Sequence, residues 1–206
     1  MSAPPRSHVP KLSELPLELE TKRLKLRPYT LDDVDAIWPH VSDPKLPLFM
    51  SWNAHATKDV TREYLESCIR GVEQGTGVVW TIRHGDDFVG AIGLEGIEFQ
   101  VAAWRVDRAE LGYWTGIPFQ RKGFMMEAAT EVVRFGFETL GLHKITVGCF
   151  EENNPSRKII ERLGFRFTGR HEDDVWRDEA WHSHRRYELL ASSYSDITTT
   201  LPVRRP

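Results

Sequence analysis

Cysteine is scarce in this chain. Its two residues, Cys68 and Cys149, stand far apart and without metal-ligand spacing. That excludes a disulfide scaffold and a cysteine metal site, and reads as two reduced packing residues. Long hydrophobic runs are absent as well. No stretch approaches the roughly 20 apolar residues of a membrane helix, so no membrane partner is expected. The segment Met1–Pro10 carries Pro4, Pro5 and Pro10 but no apolar h-region. It is not a secretory signal, and a cytoplasmic location is expected. Charge of one sign is also missing: 27 Lys and Arg face 30 Asp and Glu, a net charge of -3. The basic face that marks a nucleic-acid partner is therefore not expected. The histidines, His182 and His184 among them, lack a helical i, i+4 pair or a cysteine partner, and no metal is inferred.

What is present is an ordinary globular balance, 40% apolar and 28% charged over 206 residues. This suits one domain with tails. Residues 1–16 read as a flexible, proline-containing lead-in, 17–191 as the domain, and 192–206 as a flexible Ser/Thr-rich tail.

Within the domain, strands and helices alternate. Leu17 to Leu26 reads as a first extended segment. Thr30 followed by Asp32 and Asp33 starts a helix whose Val34, Ile37, Trp38 and Val41 share a face. A second helix spans about Thr57 to Glu73, with Val60, Tyr64, Leu65, Cys68 and Ile69 at helical spacing. Val78–Ile82 and Phe88–Leu94 flank a Gly-Asp turn and predict a hairpin. A strand over Ala109–Trp114 precedes a helical stretch from Gly123 to Leu140, stopped by Gly141. Lys144–Phe150 reads as a strand and Asn153–Leu163 as a helix. Two further strands are expected near Phe165–Thr168 and Ser183–Leu190. The class is mixed α/β.

The segment Phe119 to Met125 joins a strand to the long helix. Such a loop leaves the first-turn N–H groups unpaired at the positive end of the dipole, a ready anion site. Gly123 permits close backbone approach, and Arg121 and Lys122 add positive charge where a pyrophosphate would sit. By themselves these residues read more readily as a solvated turn, because lone glycines and basic residues occur everywhere. Asn153 and Ser156 open the next helix, where capping is their ordinary role.

Taken together, the run from Glu110 to Ala128 (ELGYWTGIPFQRKGFMMEA), the later Asn153 and Ser156, and the ending Leu163-Gly164-Phe165 resemble the GNAT superfamily of N-acetyltransferases. Within it the chain resembles the RimJ/RimL-like branch, whose members act on N-terminal amines of ribosomal proteins, on polyamines and on small amines or antibiotics. The opening from Leu19 to Arg27 is similar to a typical start of that branch. The resemblance covers about Leu19 to Leu190. Three positions depart from it. Arg121 stands where the branch commonly has glycine, Met125 where the superfamily has glycine or alanine, and Ile160 where many members carry a tyrosine acid.

The resemblance implies a GNAT fold: a twisted, mixed but mostly antiparallel sheet of about seven strands, helices on both faces, and a splayed central pair. It implies acetyl-CoA as co-substrate and a primary amine as acceptor, a peptide N-terminus favoured over a small amine. Tyr113, Trp114 and Thr115 would follow the pantetheine arm. Gln120, Arg121, Lys122, Gly123, Phe124 and Met125 would hold the pyrophosphate, with Asn153 and Ser156 opposite. Glu110 is the expected base or substrate contact, since an α-amine near 8 and a lysine near 10.4 must each lose a proton. Ser156 is the expected donor to the departing thiolate, or else a helix cap. Phe49, Trp52, Trp176 and Trp181 are expected in loops around the acceptor, and Glu172, Asp173 and Asp174 in a loop between the last two strands. A homodimer is in keeping with the branch. The competing expectation is a catalytically silent acyl-CoA-binding or sensor domain.

Overall fold

The computed structural model describes residues 9–194. One eight-stranded sheet runs in the order β1-β2-β3-β4-β5-β6-β8-β7, one strand more than expected. The difference lies at the start. The Leu17–Leu26 segment divides into β1 (Leu19–Glu20) and β2 (Lys25–Pro28), which pair with each other around a turn at Thr21.

Alternation and capping account for most of the remainder. Thr30 and Asp33 form a reciprocal capping box ahead of α1 (Val34–Val41), and Asp33 also receives Arg27 and Arg83. α2 (Lys58–Gln74) starts where the Thr57 hydroxyl accepts the Val60 N–H, and ends at Gly75 with a φ of 73°. Its Val60, assigned to the apolar face by spacing, is exposed. The hairpin joins β3 (Gly77–His84) to β4 (Asp87–Val101). β5 (Trp104–Thr115) returns along β4 and begins five residues earlier than its apolar core suggests. The long helical stretch is α3 (Phe124–Arg134), continued by a π turn over Phe135–Thr139. β6 (Lys144–Phe150), α4 (Asn154–Arg162), β7 (Arg166–Arg177) and β8 (Ala180–Leu190) complete the domain.

β7 and β8 overturn one placement. Glu172, Asp173 and Asp174 lie inside β7, not in a loop, because the strand is carried on by pairing with β8 through an irregularity between His171 and Val175. Trp176 and Trp181 likewise face each other across this ladder, and Phe49 ends the 3-10 turn Leu46–Phe49.

The main core lies between the sheet and α3. Trp80, Ile92, Leu94, Val132, Phe135 and Ile145 are buried there, with Ile160 of α4. A second cluster under α1 and α2 holds Ile37, Leu65, Phe88 and Trp114. The lead-in is not free up to residue 16: Leu12 is buried in the main core, and the Leu17 carbonyl accepts the Trp80 indole N–H at 2.6 Å. At the other end Tyr194 stacks on Phe137 and donates to Glu138 at 3.0 Å. Residues 1–8 and 195–206 of the expected tails lie outside the described residues.

Candidate active site

Among the described residues β5 and β6 are the only sheet neighbours that run parallel, and they pair at just three positions: Arg108 with Lys144, Ala109 with Ile145, Glu110 with Thr146. The Thr146 hydroxyl closes the base of this pairing by donating to the Ala109 carbonyl at 3.3 Å. Beyond it β5 stays bonded to β4 as far as Thr115, and β6 stays bonded to β8 as far as Phe150. The facing edges of the two strands therefore part, and backbone N–H and C=O groups on both sides are left to pair with an amide-bearing chain. A cleft of about 1580 Å³ opens from this fork.

One end of the cleft is the Gln120–Gly123 loop. Gly123 has a φ of 78° and starts α3, so the first-turn amides of that helix are presented to the cleft. Arg121 has a φ of 62°, a conformation that suits glycine. That explains the branch preference at this position, and arginine holds the same backbone at a cost of about 1 kcal/mol. Gln120, Arg121, Gly123, Phe124 and Met125 line the cleft, whereas Lys122 does not. The Lys122 ammonium lies over the Phe119 ring, 5.3 Å from its centroid. Phe124 and Met125 turn their side chains into the core, so only their backbone serves the loop.

Sequence reasoning missed a second layer behind this loop. Arg23 donates to the Lys122 carbonyl at 3.2 Å, pairs with Glu127 at 2.6 Å, and covers the Phe124 ring. Thr21 donates to the same Glu127 carboxylate at 2.6 Å. Desolvation alone would raise the Glu127 carboxyl, yet these hydrogen bonds hold it below its ordinary value. Arg23 stands in the opening segment, but its partners Lys122 and Glu127 are about a hundred residues away along the chain.

In the middle of the cleft stand Tyr113, Asn153, Ser156 and Cys149. The Asn153 side chain accepts the Ser156 N–H at 3.1 Å and is the cap of α4. Capping therefore belongs to Asn153 and leaves the Ser156 hydroxyl free for another partner. That partner is the Tyr113 hydroxyl, at 2.9 Å. Burial raises the Tyr113 phenol well above its ordinary value and keeps it protonated. Trp114 and Thr115 also line the cleft, but the Trp114 ring packs in the second core cluster.

The far end is aromatic and acidic. Phe49 and Trp52 line it, with the Phe49 ring 6.2 Å from that of Phe150. Arg177 donates to the Met50 and Trp52 carbonyls and ties this segment to β7. Trp176 does not line the cleft; its ring lies edge-to-face with that of Trp181, and both are exposed. Of the three acids in β7 only Asp174 reaches the cleft wall, where Glu95, Glu98 and Glu110 also stand. Glu95 faces Glu110 across β4 and β5. Desolvation, and then the charge of Glu110, raise its carboxyl above the usual range. Glu110 itself is half exposed and pairs with Arg186 at 3.2 Å.

The match with a GNAT acetyltransferase domain model extends over residues 23–166. The chain belongs to the GNAT acetyltransferase family. GNAT members are acetyl-CoA-dependent N-acetyltransferase enzymes, and the fork, the Gly123 loop and the cleft fit that co-substrate. The uncharacterized N-acetyltransferase p20 of Bacillus licheniformis is 28% identical over 155 residues, 73% of this chain and 83% of that protein. The ribosomal protein uS5-alanine N-acetyltransferase of Escherichia coli is 35% identical over 74 residues, 36% of this chain and 38% of that enzyme. Among solved structures, Mycobacterium smegmatis RimJ in complex with CoA-disulfide superposes with a TM-score of 0.73 at 20% identity, covering 85% of this chain and 88% of that one. Among the described residues no helix is long and apolar enough to cross a membrane, and no group of three metal-ligating side chains could hold an ion.

Proposed function

We propose that this enzyme transfers the acetyl group of acetyl-CoA to the N-terminal amine of a peptide or protein, in a ternary complex and by direct attack. The observation that carries this reading is the β5–β6 fork, which leads from the Gly123 loop to an acidic and aromatic end. The co-substrate supplies an activated acyl group on sulfur. The protein's part is to hold and orient. Backbone groups of Tyr113 to Thr115 pair with the pantetheine arm, the amides at Gly123 with the pyrophosphate, and Arg121 adds charge. Ser156, backed by Tyr113, donates to the sulfur as negative charge develops there. Glu110 receives the acceptor ammonium at the fork, with Phe49 and Trp52 beside the substrate chain. The similarity to the uS5-alanine enzyme favours a peptide N-terminus over a small amine.

Calorimetric titration with acetyl-CoA, with ATP as control, tests the co-substrate site. Saturable binding of acetyl-CoA alone, weakened in Gly123→Ala and Asn153→Ala, is expected. Mass spectrometry of N-terminal alanine and serine peptides beside spermidine then tests the acceptor. Acetylation of spermidine alone would overturn the peptide assignment, and binding without turnover of any amine would mark a silent acyl-CoA-binding domain.

A further inference from the structure

The cleft wall holds a charge chain that links β5, β7 and β8. Arg186 donates to Glu110 at 3.2 Å and to Asp174 at 3.4 Å, and Asp174 in turn meets Nδ1 of His184 at 2.9 Å. All four residues line the cleft. The His184 side chain is only 16% exposed, and its ring lies edge-on to Phe150 at 4.3 Å. Phe150 packs against Phe49 on the acceptor side. A carboxylate on one ring nitrogen fixes the tautomer, so Nδ1 carries the proton and Nε2 keeps a lone pair. Glu110 is placed differently. Its carboxylate accepts from Arg186 through Oε1, which leaves acceptor capacity to hold a second cation.

We propose that His184, oriented by Asp174, is the catalytic base that takes the proton from the acceptor ammonium, and that Glu110 only binds that ammonium. This rests on the acetyltransferase reading above. The acceptor ammonium passes one proton to Nε2, and the freed lone pair forms the new N–C bond with the thioester carbon. The C–S bond breaks with its electron pair on sulfur. The surplus proton on nitrogen goes to that sulfur, and the imidazolium returns its own to water. The products are the amide, the free thiol of CoA and one proton. The charged and titratable groups around the ring are Asp174 and His171 of β7, Arg186 and His182 of β8, and Glu110 of β5 reached through Arg186; Phe150 of β6 is neutral. The Asp174 carboxyl is held below its ordinary value by the hydrogen bond from His184, with the charge of Arg186 adding to it. Asp174 is thus an ionised positioning residue throughout the neutral range.

The test follows kcat/KM against pH in the full-length protein, with an N-terminal alanine peptide as acceptor. The α-amine near 8 supplies one limb that every variant shares. Wild type is expected to show a second, lower limb. H184Q should lose that limb and about 100-fold in rate at neutral pH, while binding acetyl-CoA with unchanged Kd. Added imidazole should raise the rate of H184A about tenfold, D174N should move the lower limb to lower pH, and E110Q should keep it. A readout apart from activity is the ¹⁵N spectrum of the imidazoles. The signal that H184Q deletes should show, in the neutral ring, a protonated Nδ1 and a bare Nε2. An H184Q enzyme that keeps the lower limb, or loses rate without losing the limb, overturns the role of His184 and leaves the acetyltransferase reading standing. Failure of wild type to bind acetyl-CoA overturns both.

Discussion

The Tyr113 hydroxyl of β5 lies 2.9 Å from Oγ of Ser156 in the first turn of α4, across the open part of the fork. A phenol thus reaches the cleft from the sheet, although the position on α4 where many relatives carry a tyrosine is the buried Ile160. Ser156→Ala is expected to lower kcat by about 10-fold while the melting temperature stays near wild type, because Asn153 is the cap. Tyr113→Phe removes one neutral hydrogen bond, about 1 kcal/mol, and is expected to lower kcat about fivefold. Steady-state kinetics beside a thermal melt separate the two effects. Equal kcat in Ser156→Ala and wild type would remove the hydroxyl from the chemistry.

Asn153 carries the opposite expectation. Its side chain satisfies the Ser156 N–H. Asn153→Ala should therefore cost about 1 kcal/mol of stability in urea unfolding, and Asn153→Asp much less, since aspartate caps as well.

Arg23 and Glu127 brace the Gln120–Gly123 loop from behind. Arg23→Ala frees the Lys122 carbonyl and uncovers Phe124, so the loop must be ordered at the moment of binding. The Kd for acetyl-CoA is expected to rise about tenfold, or 1.4 kcal/mol, with kcat at saturation little changed. A fall in kcat at unchanged Kd would refute the bracing role.

Asp33 gathers Arg27, Arg83 and the Thr30 N–H while only 1% exposed. Desolvation would raise its carboxyl, but the hydrogen bond from Arg27 and its companions hold it lowered. A depressed folded pKa contributes stability above the unfolded value near 3.9, and this contribution is lost as pH falls further. Asp33→Asn should cost about 3 kcal/mol at neutral pH, the low end for a broken buried pair because Arg27 keeps some solvent. In urea melts taken from pH 7 downward, the gap between wild type and variant should stay level to about pH 4 and then close. A gap independent of pH would assign the loss to packing alone.

The sequence by itself determined whatever depends on neighbours along the chain. Thr57 and Gly75 bound α2 because a hydroxyl cap and a left-handed glycine are local devices. The β3–β4 hairpin follows from two β-rich runs around a Gly-Asp turn, and the Gly123 loop from a strand feeding a helix. The motif series from Glu110 to Phe165 was enough to mark the family.

Only the tertiary structure decided the acidic and aromatic end of the cleft. β7 runs through Glu172–Asp174, which have little strand propensity, because β8 supplies the pairing. Register across β7, β8 and β5 then brings Asp174, His184, Arg186 and Glu110 into one chain of contacts, and turns Trp176 away from the cleft. Arg23 and Glu127, or Tyr113 and Ser156, meet for the same reason. Cross-strand register and helix docking are set by packing between distant segments, and neither spacing nor propensity along the chain encodes which side chains they bring face to face.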